Sequence, residues 1–347
     1  MSAPTVLGLD IGGTWTRALV LDAAAGTRLG ASRRAGANPT THGVEAASAH
    51  IAAAVAEALE NADLAANQID ACVVGMAGAS KLAGDPAAAA AIAALWQRIG
   101  LRCPVRIVAD VTTAFAAGSP EPDGSILLAG TGAIAAIMAD RRPAKILGGH
   151  GWLLGDEGSG FWIGREAVRA TLAALDEGVE PSGLTEAVLA EFVPDPALAR
   201  AETDFGLGEG RRLAAATIAA ANARPPVQLA ALVPLVLTAA DQGDRKADGI
   251  LHEAAALLVD TLERARSANA TRGAQDPTAP IVLAGGVLAP GSPVHRLVRE
   301  AVTEAWPKAT VTEGVDGAAA AAWLAALDLL DDGTDAAALH AELRRTG

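Results

Sequence analysis

Two short glycine-rich segments could bring the protein backbone into contact with phosphate. The first is Asp10–Thr14 (Asp-Ile-Gly-Gly-Thr), and the second is Ala129–Gly132 (Ala-Gly-Thr-Gly), more than a hundred residues later. Each lies between two apolar runs, which predicts a strand, a tight turn and a returning strand. A turn without bulky side chains leaves N–H groups accessible to a phosphate. One such turn closes many ordinary hairpins, but two in one chain favour a nucleotide held between two lobes.

Two aspartates end predicted strands and are the candidate magnesium residues. Asp10 precedes the first turn, where a carboxylate can orient a magnesium ion on nucleotide phosphates. A solvated aspartate that ends a strand would have the same pattern. Asp110 ends the strand Val105–Val108 and begins the helix Val111–Ala117. Phosphoryl transfer to an alcohol needs a carboxylate that accepts the hydroxyl proton, and Asp110 is the candidate. The alternative is that Asp110 only caps the helix, without a catalytic role. The two roles are compatible.

The most unusual stretch of the sequence is Gly148–Gly160, which has six glycines in thirteen residues. Its Asp156 and Glu157 offer hydrogen-bond acceptors that suit a polyhydroxylated substrate, although an irregular connecting loop is the alternative. His150 has no partner at metal-ligand spacing. A further pair, Gly285 and Gly286, follows an apolar strand and would let an adenosine lie against the backbone, but this signal alone is weak.

Length and composition limit the class of protein. A chain of 347 residues that is 51% hydrophobic and 19% charged predicts a globular protein of roughly two domains. The net charge of −13 argues against nucleic acid and anionic membrane surfaces as partners. The apolar stretches are interrupted by charges and no secretory signal is recognised, so we expect no membrane span and a cytoplasmic location.

The order of predicted elements repeats along the chain. A three-stranded meander is followed by alternating helices and strands, including helices over Val44–Asn61 and Pro86–Ile99, which indicates a mostly parallel sheet with helices on its faces. The pattern restarts near Ser125 with a second meander. We therefore expect two lobes: an N-terminal small lobe of residues 1–117 plus about 330–347, and a C-terminal large lobe of residues 118–329.

The series of motifs resembles the BadF/BadG/BcrA/BcrD ATPase family, and within it the N-acetylglucosamine kinases and related bacterial amino-sugar kinases. The residues that carry this resemblance are Asp10-Ile-Gly-Gly-Thr, Asn38-Pro39, Asp110, Ala129-Gly-Thr-Gly, Gly155-Asp-Glu-Gly-Ser and Leu283-Ala-Gly-Gly. The resemblance implies an α/β, two-lobed actin-like ATPase (ribonuclease H-like) fold. In that fold, duplicated βββαβαβα lobes surround a nucleotide cleft.

The resemblance also implies a role for each motif, with ATP, Mg²⁺ and a sugar as ligands. Asp110 would be the base for the 6-hydroxyl of the sugar, and Asp10 would orient magnesium. The residues expected to bind ATP are Gly12, Gly13, Thr14, Gly130, Thr131, Gly132, Gly285 and Gly286. Those expected to bind the sugar are Asn38, Asp110, Gly149, His150, Asp156 and Glu157. A homodimer is common among similar kinases.

Three positions depart from the family pattern around the expected sugar pocket. Ala133 and Ile134 follow the second turn where the family often has serine and sometimes then asparagine, and His150 stands where animal N-acetylglucosamine kinases have tryptophan. These changes in an acidic chain favour glucosamine, with N-acetylglucosamine as the alternative. Two other classes remain: an iron–sulfur activator, for which Cys72 and Cys103 lack a ligand motif, and a sugar-sensing regulator without turnover.

Overall fold

The computed structural model describes residues 3–39, 43–79, 84–194, 208–267, 276–329 and 335–345, which contain two five-stranded sheets. The first sheet consists of β1 (Thr5–Ile11), β2 (Trp15–Asp22), β3 (Arg28–Ala35), β4 (Ala71–Met76) and β5 (Val105–Ala109). The second sheet consists of β6 (Gly124–Ala129), β7 (Ala133–Ala139), β8 (Arg142–Gly148), β9 (Ile281–Ala284) and β10 (Val311–Gly314).

The helices connect and cover these strands. Those associated with the first repeat are α1 (Val44–Asn61), α2 (Pro86–Ile99) and α3 (Asp110–Gly118). Those that follow are α4 (Gly160–Asp176), α5 (Leu184–Phe192), α6 (Glu209–Asn222), α7 (Val233–Asp241), α8 (Arg245–Ser267), α9 (Pro293–Ala305), α10 (Gly317–Leu327) and α11 (Ala336–Arg345). No single helix in the described residues is long and apolar enough to cross a membrane; one bent pair, Glu209–Asn222 with Pro226–Asp241, meets the length and composition requirement only when both halves are taken together.

The two sheets share one topology, which confirms the predicted duplication. In the first sheet, β1, β2 and β3 form an antiparallel meander, and β4 and β5 extend the sheet in parallel on the other side of β1. The second sheet repeats this arrangement with β6, β7 and β8 as the meander and β9 and β10 as the parallel strands. The fold is therefore the expected α/β fold with βββαβαβα repeats.

Local sequence explains why the helices on the outer face of the first sheet have their observed bounds. The buried side chains of α1 recur at helical spacing, from Ala47 through Ile51 and Val55 to Leu59, and pack on the sheet. Helix α2 begins with a proline after Asp85, whose carboxylate accepts two backbone N–H groups. It ends at Gly100, which adopts the left-handed conformation with φ of 95°.

The last helix of each repeat packs on the sheet of the other repeat. Val111 and Phe115 of α3 are buried against β6, β7 and β9, whereas α10 packs on β1, β2 and β4. The contact between α10 and β1 is so close that a Cβ on Gly8 would overlap the Ala318 carbonyl oxygen. Helices α3 and α10 also contact each other, so this exchange joins the two lobes at the floor of the cleft between them.

The division of the chain into lobes stays a prediction. Helix α10 packs on the first sheet. This packing favours a lobe boundary at Gly317, where α10 begins, rather than near residue 330. Residues 330–334 and 346–347 of the predicted return lie outside the described residues.

Candidate active site at the strand ends

The first glycine turn, Gly12–Thr14, joins β1 to β2 and is supported on one side. The Gly12 N–H donates to the Trp15 carbonyl oxygen at 2.9 Å, and its own carbonyl accepts from the Ala37 N–H at 3.2 Å. On the other side, a Cβ placed on Gly13 would meet no atom of the described residues within 4 Å. Hydrogen bonds to Trp15 and Ala37 therefore fix one side of the turn, and the side at Gly13 is open to a ligand.

The second turn, between β6 and β7, is held by the start of α4. The N–H groups of Gly160 and Phe161 donate to the carbonyl oxygens of Gly130 and Thr131, at 2.8 and 3.1 Å. These bonds satisfy two of the N–H groups that a helix leaves unpaired at its N-terminus. In a trans peptide the N–H points opposite to the C=O, so the N–H groups of Thr131 and Gly132 point away from α4. This orientation suits an anion.

Asp156 supports the second turn. Its Oδ1 accepts a hydrogen bond from the Ala133 N–H at 3.2 Å, and a Cβ on Gly132 would lie 2.9 Å from its Oδ2. Asp156 itself has a φ of 62°, an uncommon conformation for a residue with a side chain. The structure thus gives Asp156 a role in shaping the second glycine turn, which the sequence did not indicate.

The glycine pair after β9 contacts the end of β6. Gly285 has a φ of 96°, and a Cβ at this position would overlap the Ala129 carbonyl oxygen. The same carbonyl accepts a hydrogen bond from the Val287 N–H at 3.0 Å. Gly286 has open space where a side chain would be. Since β6 and β9 are parallel neighbours, the third glycine turn lies beside the second.

Three carboxylates interact at the floor of the cleft. Asp10, at the end of β1, lies against the start of α10, where a Cβ on Gly317 would be 2.8 Å from its Cγ. Burial raises the pKa of Asp10 to about 6; the Arg17 ion pair at 3.1 Å opposes this rise, and the charges of Asp110 and Asp316 add to it. Asp316 caps α10 by accepting the Ala319 N–H at 3.0 Å.

Sequence reasoning missed Asp316. Its signal is present in the sequence, because an aspartate followed by glycine stands between the short strand β10 and an alanine-rich helix. This is the same strand–aspartate–helix order as at Asp110 in the first repeat. The duplicated fold therefore supplies an equivalent aspartate from each repeat.

Asp110 is fixed at the junction of β5 and α3. The sequence suggested an N-cap; in the structure Ala109 is the N-cap and Asp110 is the first helical residue, but its Oδ1 still accepts the Val111 N–H at 2.9 Å. Burial raises the pKa of Asp110 above its ordinary value, and the hydrogen bond from Val111 lowers it in part. A half-buried carboxylate with a raised pKa is a stronger proton acceptor than an exposed one.

The glycine-rich loop after β8 turns back over the start of β7. Gly149 has a φ of 67°, and its N–H donates to the Ala133 carbonyl oxygen at 2.9 Å. A Cβ on Gly149 would lie 2.9 Å from the Cδ1 of Ile134. Two of the positions that depart from the family pattern, Ala133 and Ile134, therefore contact the loop expected to line the sugar pocket.

The remaining predicted sugar residues are His150, Glu157 and Asn38. His150 is exposed and lies against Gly155, and Glu157 is half-exposed with an ion pair to Arg165 at 3.9 Å. Asn38 is half-buried in the segment after β3, next to Ala37, which supports the first turn. The structure thus brings Asp10 close to Asp110 and joins Asp156 to the second turn, while the ion pair of Glu157 directs it toward α4.

The profile of the BadF/BadG/BcrA/BcrD ATPase family matches residues 7–327. The chain belongs to this family. The matched segment runs from β1 to the end of α10, so it includes the three glycine turns and the three aspartates.

Solved structures with similar folds support the architecture of this BadF/BadG/BcrA/BcrD family member. A protein of Chromobacterium violaceum is 23% identical with a TM-score of 0.68, over 93% of this chain and 99% of that one. A protein of Porphyromonas gingivalis is 20% identical with a TM-score of 0.62, over 94% of this chain and all of that one (100%). Both are provisionally named N-acetylglucosamine kinases, and at these identities the likeness shows the fold.

A curated relative matches part of this chain. The N-acetylmuramic acid/N-acetylglucosamine kinase of Clostridium acetobutylicum is 33% identical over 91 residues. The match spans 26% of this chain and 30% of the relative, so it covers under a third of either protein.

The site of the family member fits a nucleotide and a magnesium ion. The open space at Gly13 and Gly130 would admit phosphate oxygens close to the backbone. Asp10, Asp110 and Asp316 supply the oxygen donors that magnesium prefers. In the described residues no group of three or more His, Cys, Asp or Glu side chains is arranged to hold a metal by itself.

Proposed function

We propose that this chain is an ATP-dependent amino-sugar kinase that transfers the γ-phosphoryl group of ATP to the 6-hydroxyl of D-glucosamine, giving glucosamine 6-phosphate and ADP. The observation that carries the proposal is the half-buried carboxylate of Asp110, with a raised pKa, close to Asp10 at the end of a strand. The open phosphate turns at Gly13 and Gly130 supply a place for the donor. The names of the three similar proteins described above, which are those of kinases of amino sugars or their derivatives, support this reaction class.

In the proposed reaction Asp110 accepts the proton of the sugar hydroxyl as its oxygen attacks the γ-phosphorus. The new O–P bond forms while the bond from the γ-phosphorus to the β,γ-bridging oxygen breaks, and ADP leaves with that oxygen. The backbone N–H groups of both turns bind phosphate oxygens, and Asp10 would hold a magnesium ion, which would supply positive charge to the phosphates. Closure of the lobes would exclude water that otherwise hydrolyses ATP.

Two observations bear on the choice of sugar. The side chain of Ile134 lies against Gly149 of the glycine-rich loop. Position 150 of this loop holds an exposed histidine, which is smaller than tryptophan and lies beside Gly155. Glu157 belongs to the same loop and is half-exposed, so its carboxylate could attract the ammonium group of glucosamine. N-acetylglucosamine is the second candidate, because the similar proteins carry that name and the apolar side chain of Ile134 could contact an acetyl methyl group.

A coupled ADP-release assay with ATP and magnesium tests the proposal. The acceptors compared are glucosamine, N-acetylglucosamine, glucose and N-acetylmuramic acid, and a reaction without sugar measures ATP hydrolysis. Highest kcat/KM with glucosamine supports the full proposal. Preference for N-acetylglucosamine keeps the mechanism and rejects the glucosamine assignment. Turnover with none of the four, together with measurable sugar binding, rejects the kinase in favour of a regulator without turnover.

A further inference from the structure

A row of charged side chains crosses the first sheet beside the first glycine turn. Asp10 of β1 lies opposite Arg17 of β2, and Arg17 lies opposite Arg33 of β3. Opposite residues of neighbouring strands point to the same face of a sheet, so the three side chains share one face. It is the face on which α10 packs, because Gly317 at the start of α10 lies against Asp10.

Helix α10 leaves the outer part of this face accessible. It packs on β1, β4 and β2, whereas β3 is the edge strand of the sheet. The side chain of Arg17 is 39% exposed, Trp15 at the start of β2 is 42% exposed, and Arg33 is exposed. A ligand beside the first turn can therefore reach all three side chains.

The guanidinium group of Arg33 is directed toward the first turn. Its Cζ lies 3.6 Å from the centre of the Trp15 ring, which is a cation–π contact. Trp15 directly follows Thr14 of the turn, and it lies opposite Ala35, two positions beyond Arg33 along β3. The contact with Trp15 therefore draws the N–H groups of Arg33 toward the end of the sheet at which the turn lies.

Arg33 carries a charge that no ion pair of the described residues balances. The charge of Arg17 is balanced by Asp10, with Nη1 and Oδ2 3.1 Å apart, whereas Arg33 contacts the neutral ring of Trp15. Like charges directly opposite each other destabilise a sheet, so the position of Arg33 opposite Arg17 is unfavourable without an anion. In a chain with a net charge of −13, this arrangement favours an anionic ligand at Arg33.

The order of the glycine turns indicates which part of the donor reaches Arg33. The third turn, expected to contact adenosine, lies beside the second turn in the second sheet. The phosphates of a nucleotide bound there extend toward the first turn, so the terminal phosphate lies nearest β2 and β3. We propose that Arg33 binds the γ-phosphate of ATP beside the first turn, with Trp15 holding its guanidinium group in place. This inference rests on the proposed function, because it assigns a contact to the donor of that reaction.

Calorimetric titration of the full chain with ADP and with a nonhydrolysable β,γ-imido analogue of ATP, both with magnesium, tests the inference. ADP lacks the γ-phosphate. Arg33→Gln should weaken binding of the analogue about tenfold or more and binding of ADP by less than about twofold, because a charge-assisted hydrogen bond to the γ-phosphate is lost. Unchanged affinity for the analogue overturns the inference, and so does equal weakening of both nucleotides.

Arg34→Gln is the matched control, since it removes the same charge from the next residue of β3. Arg34 pairs with Glu57 of α1, with Nε and Oε2 2.9 Å apart, so it points to the other face of the sheet. Its replacement should change the affinity for either nucleotide by less than about twofold. A loss equal to that of Arg33→Gln would show a general effect of net charge and overturn the inference.

Trp15→Leu tests the part played by the ring. It removes the surface on which Arg33 stacks but keeps the backbone carbonyl that accepts from the Gly12 N–H. Binding of the analogue should weaken about threefold or more, and that of ADP less. Unchanged affinity for the analogue in a folded Trp15→Leu protein, shown by its circular dichroism, overturns the role of Trp15.

The same titrations separate this inference from the proposed function. A wild-type protein that binds neither nucleotide overturns both. Wild-type binding of the analogue that a folded Arg33→Gln protein retains in full overturns this inference alone.

Discussion

Replacing Asp10 with asparagine should stabilise the protein above about pH 6, although it removes an ion pair. The pKa of Asp10 rises from 3.8 to about 6 because burial disfavours its charged form more than Arg17 favours it. Between these two values the folded state binds more protons at Asp10 than the unfolded state does. Stability therefore falls as the pH rises through this window, and the loss is complete above about pH 6.

The size of the effect follows from the same two values. At 1.36 kcal/mol for each pKa unit, the interval from 3.8 to about 6 corresponds to about 3 kcal/mol of unfolding free energy at neutral pH. Asparagine has the shape of the protonated side chain and carries no charge. We therefore expect Asp10→Asn to differ little from the wild type near about pH 4 and to be about 3 kcal/mol more stable near about pH 8.

Urea unfolding of both proteins at the two pH values, without nucleotide or magnesium, measures this difference. The matched control is Asp260→Asn, which removes a surface pair with Arg264 at 3.4 Å; its effect should stay below about 1 kcal/mol at both pH values. A stability difference for Asp10→Asn that is the same at both pH values would refute the reasoning. Magnesium with ADP should then stabilise the wild type more than Asp10→Asn, since the ion favours the charged carboxylate.

Substitutions at three further positions test the proposed site. Asp110→Asn should lower kcat about 10²–10⁴-fold with little change in the KM for sugar; kinetics close to those of the wild type would remove Asp110 from the role of base. Gly13→Ala should leave the melting temperature nearly unchanged, because the added Cβ meets no described atom within 4 Å, but it should raise the KM for ATP; an unchanged KM would show that phosphate does not approach this turn. Asp156→Ala removes the acceptor of the Ala133 N–H and should raise the KM for ATP, with a smaller effect for Asp156→Asn. A change in the KM for sugar alone would instead support direct binding of the sugar by Asp156.

The bounds of many elements could be predicted because their causes are local. The predicted helices Val44–Asn61 and Pro86–Ile99 have the same bounds in the structure. Their buried faces recur every three or four residues, and the second has a proline start and a glycine end. The two glycine turns were predicted for the same reason, since glycine between apolar runs sets a hairpin within a few residues.

Contacts between distant residues could not be predicted in this way. The alanine-rich segment of α10 has no polar face, so its pattern does not tell which surfaces cover it; the structure buries it between the first sheet, α3 and α11. Asp316 was missed because its proximity to Asp10 depends on that packing. Asp156 was assigned to the sugar by resemblance, whereas its contact with Ala133 joins residues 23 positions apart.

The sequence by itself therefore determined the secondary structure, the duplication and the residue types that could bind phosphate and accept a proton, because hydrophobic periodicity, helix caps and glycine turns act over a few residues. Only the tertiary structure decided that Asp10, Asp110 and Asp316 interact, and that the carboxylates of Asp10 and Asp110 are buried enough to raise their pKa values. Burial and charge proximity depend on which distant surfaces meet, and in this chain that is set by the exchange of α3 and α10 between the two sheets.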